Sequence, residues 1–137
     1  MKDDFLWVEK YRPKTIEQCI LPSDIKNTFQ AFVSNGEVPN LLLCGTAGIG
    51  KTTIAKALCH ELGVDSYLIN GSDEGRFLDT VRNSAKQFAS TVSLTSSSKH
   101  KVIIIDEADN TTHDVQLLLR ASIEEFQRNC RFIFTCN

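Results

Sequence analysis

The stretch LLLCGTAGIGKTTIAKAL, residues 41–58, constrains this chain more than any other. A short apolar run stops at a glycine-rich segment, which leads straight into residues spaced with helical period. Gly45, Thr46, Ala47, Gly48, Ile49, Gly50, Lys51 and Thr52 fit the pattern G-x-x-x-x-G-K-[ST], in the strand–loop–helix setting that gives it meaning. The glycines let successive N–H groups turn inward as an anion nest. The helix that follows adds the positive end of its dipole. Lys51 is placed to reach the β and γ phosphates of a nucleotide, and Thr52 offers a hydroxyl to Mg2+.

Around this unit, short apolar strands alternate with amphipathic helices, which predicts an α/β fold: three αβα layers around a mostly parallel sheet. A helix is expected from a Ser23 cap to about Asn35, with Gly36 as its stop. Strands follow at Leu41 to Cys44 and Ser66 to Asn70, with a helix from Lys51 to about Leu62 between them. Phe77, Leu78, Val81, Ala85 and Phe88 predict a helix from Phe77 to about Ser90. STVSLTSSSKH reads as a polar surface loop, KVIIID as a strand buried on both faces, and RFIFTC as a fourth strand. A helix from His113 to about Gln127 lies between the last two. No repeat or linker marks a second domain. Residues 1–22 read as an arm and 23–137 as the core.

KVIIIDEAD sets Asp106 at the end of a buried strand, where such a carboxylate holds the water shell of Mg2+. Glu107 follows directly and can orient and deprotonate an attacking water. A kinase acting on a small acceptor does not need this second acid. The tetrapeptide D-E-A-D at Asp106 to Asp109 is too loose a match to carry a helicase reading.

The net charge of −2 argues against a strongly basic nucleic-acid module, though not against a local contact. Five cysteines, Cys19, Cys44, Cys59, Cys130 and Cys136, are scattered without a C-x-x-C pair, which speaks for reduced thiols rather than a zinc site. No segment approaches a membrane span, and MKDDF is no signal peptide, so the expected location is cytoplasmic.

WVEKYRP, the loop GTAGIGKTTIAKAL, NGSD at Asn70 to Asp73, and IIIDEAD together resemble a sliding-clamp loader ATPase of the AAA+ superfamily. LLLRASIEEF and FIFTCN fit the same frame. The likeness is to the replication factor C small subunits and their phage relatives, and in details such as KALCHEL and NGSD it is greatest to the large ATPase subunit of tailed-phage clamp loaders. It implies that Tyr11, Arg12 and Pro13 lie near adenine, and that Gly45, Gly48, Gly50, Lys51, Thr52 and Thr53 hold phosphate and Mg2+. Asp106 is then the metal carboxylate, Glu107 the base, and Asn137 a sensor at the tip of a strand inserted between the P-loop strand and the Asp106 strand. Arg76 is the candidate for a basic switch that restrains the glutamate.

The resemblance further implies ATP and Mg2+ as ligands, and other loader subunits, a sliding clamp and primer–template DNA as partners, in the host cytoplasm if the protein is viral. It covers nearly all of this chain but only about the first half of a family member. The family's fifth strand, helical lid and Ser-Arg-Cys finger motif, which should follow the sensor strand, are expected to be missing from this chain. The isolated fragment is therefore expected to bind ATP weakly and turn it over slowly, and LLLCG to leave an apolar edge prone to self-association. Alternatives are a helicase loader, a branch-migration motor, a nucleotide-binding module without turnover and, against Glu107, a small-molecule kinase.

Overall fold

The run Val102–Ile105 is apolar at every position, so a strand made from it needs cover on both faces. A computed structural model, which describes residues 11–45, 50–72, 79–91 and 100–137, gives it that place. The elements in chain order are α1 (Ser23–Asn35), β1 (Leu41–Cys44), α2 (Lys51–Leu62), β2 (Ser66–Asn70), a π-helical segment (Thr80–Ala85) running into α3 (Lys86–Ser90), β3 (Lys101–Asp106), a 3-10 turn (Ala108–Asn110), α4 (His113–Phe126) and β4 (Cys130–Cys136). The strands form one sheet in the order β1-β4-β3-β2, with every pairing parallel. β4 is thus inserted between β1 and β3, as expected from the sequence. Among the described residues β1 is an edge strand.

Alternation along the strands splits the core into two layers. On one face Val102, Ile104 and Ile133 pack with Phe29 of α1 and with Ile54, Ala55, Leu58 and Cys59 of α2. Ile16 and Cys19, from the segment before α1, join this layer, and the Glu61 carboxylate accepts from the Ile16 N–H at 2.8 Å. On the other face Ile69, Ile103, Ile105 and Phe132 pack with Val81, Ala85 and Ala89 and with Val115 and Leu119 of α4. Among the described residues, β1 has cover on the first face only. Leu41 and Leu43 pack there, whereas Leu42 is 65% exposed on the second.

Two local readings change. Ser23 is the first helical residue and makes no side-chain cap. Pro22 holds the cap position, its ring-locked φ of −54° suiting a helix entry, and its carbonyl accepts from Lys26 N–H at 2.9 Å. The helix expected over Phe77 to Ser90 is described from Thr80, and its first part is π-helical. Val81, Ala85 and Ala89 are its buried positions. The loop stretch at residues 92–99 lies outside the described residues.

His100, immediately before β3, is only 4% exposed. Burial holds its imidazole below the ordinary value of 6.5. The nearby Arg131 guanidinium pushes the same way, and Glu37 opposes. The folded chain therefore favours the neutral ring, while the unfolded chain takes up a proton as pH falls through about 6.5. This stabilisation is full above that pH and is lost on acidification below it. We expect the urea midpoint to fall between pH 7.5 and 5.5, and to fall less in His100→Gln. Equal falls in the two proteins would refute this.

Candidate functional site

Parallel β1, β3 and β4 all end on one edge of the sheet, and α2 begins there. In open α/β sheets the crevice beyond the strand carboxyl ends is where ligands bind. Gly50 turns the chain into α2 with φ 86°, in the left-handed region. A Cβ there would meet no atom within 4 Å, so backbone conformation, not space, calls for glycine. No side chain caps α2, so the first-turn N–H groups are not claimed by a capping residue. They open on a cleft of about 260 Å³, which brings together Lys51, Thr52, Thr53, Asp106, Glu107 and Asn137. Of the residues singled out from the sequence, these and Gly50 converge.

The cleft is held by short polar contacts. Lys51 Nζ donates to Gly45 O at 2.6 Å, Cys136 O at 2.8 Å and Asn137 Oδ1 at 2.7 Å. This places one ammonium between the end of β1 and the tip of β4. Asp106 Oδ1 accepts from the Thr52 hydroxyl at 2.6 Å and from the Thr135 hydroxyl at 2.5 Å. Thr135 Oγ1 also accepts the Glu107 N–H at 3.2 Å. Glu107 itself has φ 54° and ψ 47°, a left-handed backbone at a residue with a side chain. Its position turns the chain out of β3 and leaves its carboxylate exposed at the cleft.

Two positions that hold the cleft's backbone in place do not stand out in the sequence. Thr135 is 1% exposed yet polar, and it sits in the alternation slot of the buried Ile133, next to Asp106. A hydroxyl in an otherwise apolar strand was the available signal. Gly71 follows β2 and donates to Asp106 O at 2.7 Å. A Cβ at Gly71 would lie 2.8 Å from Glu107 O and 3.0 Å from Asp106 O, so the turn carrying both acids needs a residue without one.

Tyr11, Arg12 and Pro13 are not among the residues lining this cleft, and Tyr11 is 73% exposed. Thr46, Ala47, Gly48, Ile49 and Arg76 lie outside the described residues. The Thr52 hydroxyl and Asp106 carboxylate form the kind of hard-oxygen pair that Mg2+ prefers. Among the described residues no three His, Cys, Asp or Glu side chains cluster as a metal cage.

Comparison with known proteins gives a consistent picture. The family model described as "ATPase family associated with various cellular activities (AAA)" matches residues 41–137. The replication factor C small subunit of Methanoculleus marisnigri is 44% identical over 137 residues, covering 96% of this chain and 42% of the relative. That of Saccharolobus solfataricus is 43% identical over 140 residues, covering 98% and 42%. Among solved structures, the RuvB Holliday junction branch migration motor of Thermotoga maritima superposes with a TM-score of 0.70 at 25% identity, over 92% of this chain and 42% of that one. The chain spans about two fifths of the length of these relatives.

Thr135→Val removes the hydroxyl that joins Asp106 to the Glu107 N–H. Leaving these groups without their partner is expected to cost about 1–3 kcal/mol of stability, read from urea unfolding. Thr135→Ser should restore most of it. A valine variant as stable as the parent would show that this joint does not matter.

Proposed function

This chain belongs to the AAA family of ATPases, and we propose that its cleft binds ATP with Mg2+ and hydrolyses it to ADP and phosphate within a sliding-clamp loader. The observation that carries this reading is the convergence in one cleft of Lys51, the Thr52–Asp106 pair and Asn137.

In this reading the first turn of α2 and Lys51 bind the β and γ phosphates, with Gly45, Thr46, Ala47, Gly48, Ile49, Gly50 and Thr53 completing the cradle. Thr52 and Asp106 hold Mg2+, which when bound neutralises charge on the phosphate oxygens. Glu107 accepts the proton of the attacking water, and Asn137 helps orient that water. The contact between Lys51 and Asn137 Oδ1 supports a shared task at the γ-phosphate. Thr135 and Gly71 act as positioning residues, fixing the backbone on which the two acids sit.

The assembly role rests on likeness to replication factor C small subunits at 43–44% identity. It brings other loader subunits, a clamp and primer–template DNA as partners, and a cytoplasmic setting. No helix among the described residues is long and apolar enough to cross a membrane. The outer edge of β1, with Leu42 exposed, supports association with a further strand, including that of a second copy. A branch-migration motor is the second reading, favoured by the RuvB superposition but at lower identity.

Lys51→Ala removes a charge-assisted contact to phosphate worth about 1.5–3 kcal/mol, so nucleotide affinity should fall roughly ten- to hundredfold. Glu107→Gln should keep binding while lowering turnover by about 10²–10⁴. Fluorescent-nucleotide titration and phosphate release check the two. Turnover unchanged in Glu107→Gln would remove Glu107 from the chemistry. Stimulation of the parent by clamp and primed DNA, but not by a four-way junction, distinguishes a loader from a branch-migration motor.

A further inference from the structure

Cys44 and Cys136 stand directly opposite one another on the parallel neighbours β1 and β4. Paired residues on adjacent strands sit about 4.7–4.9 Å apart, within the Cα range of about 4.4–6.8 Å that a disulfide spans. Their side chains share a face, and Sγ lies 2.8 Å from Sγ, with both thiols free. This is the face on which no described residue is packed over β1. Cys44 is exposed and Cys136 half-buried, so a small reagent can reach them. The other three cysteines are buried. Burial pushes the thiol of Cys59 up to about 12 and that of Cys130 up to about 11. The contact with Cys44 raises the Cys136 thiol as well, so it is reach and mutual proximity that set the pair apart.

The pair touches the phosphate cradle through its backbone. Cys44 precedes Gly45, whose N–H donates to Cys136 O at 3.3 Å, and Asn137 follows Cys136. Lys51 Nζ bridges the Gly45 and Cys136 carbonyls. To reach a phosphate, the ammonium must exchange contacts of this kind for phosphate oxygens. A covalent link between the two strand ends fixes the carbonyls at the spacing that holds Lys51.

We propose that Cys44 and Cys136 form a reversible thiol–disulfide pair whose oxidation fastens Lys51 in its carbonyl clamp and weakens nucleotide binding. The oxidant is a low-molecular-weight disulfide. The Cys44 thiolate attacks one of its sulfurs and releases a thiol. The Cys136 thiolate then attacks Cys44 Sγ and releases the second. Two protein thiols lose two electrons and two protons, and the reagent is reduced to two thiols. The switch rests on the nucleotide reading of the cleft, whereas the cross-link does not.

The test treats the purified protein with oxidised glutathione, blocks remaining thiols, and maps proteolytic peptides by mass. The expected product joins the Cys44 and Cys136 peptides within one chain, two hydrogens lighter, reversed by dithiothreitol and absent from Cys44→Ser. Affinity for a fluorescent ADP should fall at least fivefold on oxidation of the parent and stay unchanged in Cys44→Ser. Glutathione adducts alone, a link between chains, or a cross-link without change in affinity would each overturn the proposal. Reduced protein that takes up no nucleotide would refute the reading of the cleft and the switch with it, while the cross-link, read by mass, would stand or fall separately.

Discussion

A single carboxylate oxygen organises the working end of this molecule. Asp106 Oδ1 accepts hydroxyl protons from Thr52 on α2 and from Thr135 on β4, so three elements meet at one atom. Hydrogen bonds to a charged acceptor are among the stronger polar contacts in proteins. Here they lie next to the buried apolar run Val102–Ile105, which supplies a rigid base. Val102–Ile105 are buried on both faces, and Asp106 is the first residue of β3 to emerge. The Thr135 hydroxyl passes the constraint on to the Glu107 backbone. The two acids are thereby positioned through the same threonine.

Much of this was legible in the chain itself. The glycine-rich loop between apolar run and helix could be read because each of its residues answers a local demand, as Gly50 does with its positive φ. KVIIID declared its burial by lacking any alternation, and the order β1-β4-β3 followed from the family frame. What the sequence hid depends on distant segments meeting. Thr135 is a neighbour of Asp106 only because β4 is inserted beside β3, and Gly71 is constrained by a carbonyl 36 positions away in sequence. Cys44 and Cys136 looked like scattered thiols until strand register put them face to face. The π-helical turns at Thr80–Ala85 are a different kind of miss: the apolar spacing there suits an ordinary helix equally well.

The second sheet face has its own asymmetry. β3 and β4 are roofed there by α4 and the helix around Val81 and Ala89, while no described residue is packed over β1. Among the described residues, the strand that leads toward Gly50 is therefore less enclosed than β3 and β4. Its in-register bonds to β4 and the Phe132 N–H contact to the Asn40 side chain at 2.9 Å are what fix it laterally.

The left-handed backbone of Glu107 has a consequence for how this surface can change. A residue with a Cβ holds that conformation at a cost of about 1–2 kcal/mol, which glycine escapes. The fold would relax if the side chain were given up. Stability and the presence of a carboxylate at the cleft thus pull in opposite directions at one position. Selection for a sturdier molecule alone would tend to erase the acid before it touched the core.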